Sequence, residues 1–209
     1  MSSPIDEVLS FWFGSVAAVH TGEVPKENRS RWFSADEQTD SHLRSHFGEH
    51  VEKAGRGHYD EWADDSAGRL ALIVLLDQFS RNIHRGTPRA FAFDDRALKH
   101  ALDGIDRGHD QVVAPIARVF FYLPLEHAEE LGHQQRCVEL MEELVEDAPR
   151  DRRELFEDFL HYAREHRDTI ARFGRFPHRN PILDRTSTPE EQEYLEEEDA
   201  NSWGQDANS

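Results

Sequence analysis

Only one of the 209 residues is a cysteine, so no internal disulfide can hold this chain together. Lysine is almost as scarce: Lys26, Lys53 and Lys99 stand alone, and every other side-chain cation is an arginine or a histidine. No apolar run approaches the roughly 20 residues that a membrane span needs. The opening MSSPIDEVLSFWFG carries no basic leader region. These gaps describe a cytoplasmic protein in a reducing compartment that does not enter a membrane. Positive charge is also short overall. The 24 lysines and arginines face 42 acids, a net charge of -18, which argues against general binding to nucleic acid phosphates. Acid excess with little lysine fits a source with high internal salt, a possible halophile, and equally a GC-rich genome with an acidic surface. Missing too are GxxxxGKS, GxGxxG, HExxH, GxSxG and a paired CxxC. Nucleotide-loop, zincin and serine-hydrolase readings lose their usual support, and no cofactor is implied.

What is present is organised around Leu70 to Gly86, the most apolar run of a polar chain. Leu72, Leu76, Phe79 and Ile83 recur at the three- and four-residue steps of one helix face. A second stripe starts apolar, at Leu70 and Val74, and continues as Asp77, Arg81 and Arg85. Asp77 and Arg81 stand four apart with the acid first, the favourable order for a helical ion pair. A face that begins as core and turns into carboxylate and guanidinium marks a buried charged site.

Around it the punctuation is helical. Ser3-Pro4 with Asp6 and Glu7 starts a helix that stops at Gly14. A loop is expected to about Arg31, with Trp32-Phe33 as an anchor. Ser34 and Glu37 then form a capping box for a helix to about Ala54. Thr87-Pro88 leads into a helix over about 94–107, and Pro115 opens another in which Pro124 makes a break or kink. The last long helix runs from about Asp151 to Phe173. RFPHRNPILDR is irregular because Pro177 and Pro181 sit four apart, and Thr188-Pro189 caps a short final helix. No strand-like alternation of any length occurs. The fold class is therefore all-α, with seven or eight helices in antiparallel pairs, as a bundle or a tetratricopeptide-like stack. Residues 1–196 form one helical domain, and 197–209 an acidic, polar tail expected to fray despite Trp203. Cys137, followed by Val138, Leu140 and Met141, is read as helix packing.

The chain resembles a family known as domain of unknown function nine-two-four, found in bacteria and some eukaryotes. The resemblance rests on FWFG (11–14), RWF (31–33), LLDQFSRNIHRGTPRAFAFD (75–94), RVFFYLPLEHAEE (118–130), FGRFPHRN (173–180) and the TSTPEEQEYL segment. It implies an all-helical, tetratricopeptide-like fold and no established activity. Three positions depart from the pattern: Ser80 where proline is usual, Ala128 where serine is usual, and Asp184 where glycine is usual.

Three constellations could carry chemistry. The first is an anion site built from Asp77, Arg81, Asn82, Arg85, Arg118, Arg175, Arg179 and Asn180, with His178 beside them. Arginine forks match carboxylate or phosphate with two parallel hydrogen bonds. The competing view has these arginines locked to Asp77, Asp94, Glu126 and Glu129 as helix ties. The second is proton handling at Glu126, His127 and His178, with His166 as a further partner. Adjacent helical residues diverge by about 100°, so Glu126 and His127 cannot both aim at one atom. The third is a metal site using Glu126, Glu130 and His133 with Asp158 and His161. That spacing resembles the acid-x-x-His pairs of di-iron bundles, but 42 acids and 13 histidines produce such matches by chance. No metal is expected. The partner expected is a small anionic molecule, or a peptide if the helical stack is an interaction module.

Overall fold

The computed structural model describes residues 2–32 and 36–196, so the tail expected at 197–209 lies outside the described residues. Among them are ten helices and no strand. They are α1 (Pro4–Phe13), α2 (Ala18–Thr21), α3 (Lys26–Trp32), α4 (Glu37–Gly55) and α5 (66–83), followed by α6 (Asp94–Asp106), α7 (Pro115–Glu126), α8 (Leu131–Asp147), α9 (Arg153–Phe173) and α10 (Pro189–Glu196). The all-α expectation holds. The count exceeds seven or eight because α2 and α3 occupy a stretch read as loop.

Those short helices exist for a physical reason. Helix α1 starts on a capping box in which Ser3 and Asp6 exchange side-chain and backbone bonds. It ends at Gly14 with φ +89°. Its last carbonyls need donors. From α3, Asn28 Nδ2 and Arg31 Nη1 each reach the Phe11 carbonyl at 2.8 Å, and Trp32 Nε1 reaches that of Trp12 at 3.0 Å. Helix α4 is capped by Asp36, whose carboxylate accepts from the amides of Gln38 and Thr39. The Ser34–Glu37 box is thus replaced by Asp36; Ser34 and Phe33 lie outside the described residues.

The core is aromatic at its centre. Trp12 meets Phe79 and Phe120 edge-on at 5.4 and 5.8 Å, and Trp32 stands 4.7 Å from Phe120. Such edge-to-face pairs add to the area they bury. Cys137 is fully buried, its thiol 3.5 Å from the Tyr122 carbonyl. Helix α7 is buried along nearly its whole length. Pro124 neither breaks it nor ends it: the helix runs on to Glu126. The chain turns only after His127, where Gln134 of α8 donates to the carbonyls of Glu126 and Ala128. Helices α8 and α9, joined by 148–152, make the most extensive helix pair. Arg152 in that connection donates to the Gly22 carbonyl at 3.0 Å, tying the second half of the chain to the first.

One helix departs from the regular period. In α5 the segments Ser66–Val74 and Ser80–Ile83 are α-helical, but Leu75–Phe79 between them is a π turn. There the Ser80 amide reaches back five residues to Leu75 as well as to Asp77. A π turn widens the helix and rotates the residues beyond it. Asp77 sits at its middle.

Candidate functional site

Asp77 is 1% exposed, and everything around it explains why it can remain charged. Its Oδ1 lies 2.7 Å from His127 Nδ1 and 3.3 Å from Arg81 Nη2, while Gln78 donates to Oδ2. Burial pushes its pKa up, but His127 and Arg81 outweigh burial and hold the carboxyl well below its usual range. His127 follows the last residue of α7, so the turn after that helix delivers its ring to the π turn of α5. Arg81, one turn beyond Asp77, bridges to Asp94 Oδ2 at 3.0 Å, at the start of α6.

A second guanidinium completes the cluster. Arg179 lies in the 3₁₀ turn Pro177–Arg179 and is 6% exposed. Its planar group stacks on Phe176 at 4.4 Å and faces Phe91 at 4.8 Å. Asp94 Oδ2 stands 3.7 Å from its Nη1, beyond hydrogen-bonding distance. Arg179 forms no hydrogen bond with any described residue, and its Nε is buried without a partner. Burial, then the nearby charge of Arg81, lowers its pKa to about 10.

Three imidazoles surround these groups. Burial lowers all three, and guanidinium charge reinforces the effect: Arg81 on His127, and Arg179 on His166 and His178. His178 falls to about 3. His127 gains from Asp77 but remains below its ordinary value. His166, on α9, brings Nδ1 to 3.0 Å from the Tyr162 carbonyl and 3.2 Å from Glu126 Oε1, with its ring edge-on to Phe176. At neutral pH all three rings are neutral.

The turn that carries His178 and Arg179 is pinned from both sides. Glu129 accepts the Phe176 amide at 2.8 Å and takes both arms of Arg185, at 2.6 and 2.9 Å. Glu191 takes both arms of Arg175, at 2.6 and 2.8 Å, together with the Thr188 amide and Asn180 Nδ2. The Arg175 fork lowers Glu191 to about 2. At Asp184, where a glycine is usual, φ is +53°, a left-handed conformation that short acids tolerate.

The residues singled out in the sequence therefore fall into two sets. Asp77, Arg81, Glu126, His127, His178 and Arg179 meet, with Asp94 and His166 among them. Arg85 binds Asp40 on α4 through two arms at 2.7 and 3.2 Å. Arg118 donates to the carbonyls of Val113 and Gln111. Arg175 and Asn180 are held by Glu191, and Asn82 is buried on α5. The reading of residues did not pick out Phe91, Phe176, Arg185 and Glu191; the ring-bearing pair carries no charge to draw attention, and the ion partners are distant in sequence. Of the metal spacing, Glu130 pairs with His133 and His161 with Glu165 on exposed helix faces. Among the described residues no group of three or more His, Cys, Asp or Glu is placed to hold a metal ion.

A buried acid–imidazole–guanidinium cluster in an all-helical body is thus the class of protein the coordinates define. The chain belongs to the family described as "Bacterial protein of unknown function (DUF924)", whose model matches residues 8–199. It is similar to a solved structure, a protein of unknown function from Agrobacterium tumefaciens, at 41% identity and a TM-score of 0.77, covering 92% of this chain and 96% of that one. No curated protein matches the sequence. No helix among the described residues is long and apolar enough to cross a membrane.

Proposed function

We propose that this protein binds a small anion, a phosphate or a carboxylate, at the Arg179 fork beside Asp77, Arg81, Asp94 and the three imidazoles. One observation carries the reading. A guanidinium is expensive to bury, and buried polar groups are as a rule hydrogen-bonded; Arg179 is 6% exposed with its fork unmet. Phe91 and Phe176 cover its plane and leave the donor edge for a ligand. Glu126, His127 and His178 stand nearby as the proton-handling groups an enzyme would use. We assign the protein to the cytoplasm, in keeping with its buried free thiol.

A thermal-shift series tests this. Phosphate, sulfate, and mono- and dicarboxylates are compared with chloride at matched ionic strength. A ligand at a hundredfold excess over its Kd adds about 2.7 kcal/mol to the folded state, so at least one anion raises Tm by several degrees. Arg179→Met abolishes that rise. If no anion shifts the wild type, the reading is wrong.

A second reading rests on a cleft of about 490 Å³, away from the cluster, lined by Val24, Pro25, Arg29, Ile116, Leu155 and Phe156 among others. In a tetratricopeptide-like stack this hollow would receive a peptide, with the charged network serving as ties. That view predicts anion-independent stability and an Arg179→Met protein that still binds its partner.

A further inference from the structure

Charge accounting at the cluster leads one step beyond ligand binding, and the step rests on the anion reading above. Arg81 and Arg179 supply two positive charges. Asp77 and Asp94 supply two negative ones, the first 3.3 Å from Arg81, the second 3.0 Å from Arg81 and 3.7 Å from Arg179. Glu129 is spent on Arg185. With the imidazoles neutral, the surroundings of Arg179 offer hydrogen bonds but no surplus positive charge. An anion entering so dry a place needs a compensating cation.

We propose that the site takes up one proton together with its anion, and that the proton lands on Nε2 of His127. The geometry singles out this ring. Asp77 accepts the Nδ1 proton at 2.7 Å, which leaves Nε2 as the nitrogen able to gain one and places a buried carboxylate behind the imidazolium that forms. The groups facing His127 are Asp77 and Arg81 from α5, Arg179 from the 3₁₀ turn and His166 from α9. Arg81 and Arg179 keep the ring neutral in the empty site, and an anion on the Arg179 fork cancels that repulsion. His178 has no such support: it lies next to Arg179 in the chain, with Arg81 and Arg185 also acting on it. His166 already shares Nδ1 with the Tyr162 carbonyl and Glu126, and a proton added there would sit beside His127. The balance is simple: one proton leaves the buffer, one N–H bond forms, and the bound anion meets one new positive charge.

Sulfate is the probe, because it carries no exchangeable proton near neutral pH. Titration calorimetry at pH 7 in buffers of different ionisation enthalpy counts the protons absorbed. About one proton per sulfate is expected, with affinity falling about tenfold per pH unit as pH rises. His127→Gln binds sulfate more weakly and absorbs no proton, whereas His178→Gln still absorbs one. Imidazole nitrogen NMR of the unaltered protein reads the same event without mutation: the His127 ring changes from neutral to protonated on adding sulfate. Sulfate bound with no proton uptake, or uptake that survives in His127→Gln, overturns this inference and leaves anion binding standing. Phosphate, sulfate and carboxylates all failing to bind overturns the anion reading itself.

Discussion

Arg179 and Arg85 both lie near a carboxylate, yet losing their charge should have opposite consequences. Arg85 holds Asp40 through two short bonds, and Asp40 is 7% exposed. Arg85→Met leaves that acid without its partner and is expected to cost about 2 kcal/mol in urea denaturation, the scale of lost charge-assisted bonds. Arg179 has no hydrogen bond to lose. A methionine of similar length keeps contact with Phe91 and Phe176 and removes a buried charge, so Arg179→Met should cost less than about 1 kcal/mol, or stabilise the fold. A loss as large as that of Arg85→Met would make Arg179 a structural tie. At this scale the sequence was informative about local pairs only. Asp77 and Arg81 are four apart and could be paired on paper. The bond from Asp77 to His127 spans 50 positions, and no periodicity announces it.

Among the helices, α5 departs most from what its sequence suggests. The stripe of Leu72, Leu76, Phe79 and Ile83 reads as an ordinary helical face, and all four are buried. The π turn beneath it leaves that stripe intact, because apolar spacing of three and four tolerates one widened turn. Hence the helix was legible and its irregularity was not. Ser80 comes directly after the π turn, and proline is usual at its position in the family that the sequence resembles. Mid-helix proline costs about 3 kcal/mol where it removes a regular bond and clashes with the preceding turn. Here the lost amide is divided between Leu75 and Asp77, and the wide turn gives the ring room. Ser80→Pro should therefore cost under about 1 kcal/mol by chemical denaturation. The same change at Val74, on the regular turn above, should cost the full amount. Helices α2 and α3 escaped the sequence reading because four and seven residues are too few to show a period; their stability comes from the carbonyls of α1 that α3 satisfies.

Over the whole molecule, the buried histidines set how stability depends on pH. His127, His166 and His178 all have lowered pKa values in the folded state, the last to about 3, so the unfolded chain binds protons first. Stability is then full above about pH 6.5 and declines as pH falls below it, by up to about 1.4 kcal/mol per pH unit for each ring. The lowered carboxyls of Asp77, Glu129 and Glu191 act in a more acidic window and add to the loss there. Urea midpoints measured between pH 8 and 5 should drop steadily, and replacing His178 by Gln should flatten the slope. A flat profile would mean that the rings are already charged in the native protein.

The distance along the chain between Asp77 and its companions has a consequence for synthesis. At roughly 5–20 residues per second, the ribosome releases Arg179 several seconds or more after Asp77, and Arg152 likewise long after Gly22. During that interval the nascent first half exposes a greasy helix bearing an acid whose imidazole has not yet emerged. Tethered fragments ending before position 127 should bind trigger-type chaperones and be cut readily by protease, whereas fragments reaching beyond 191 should resist.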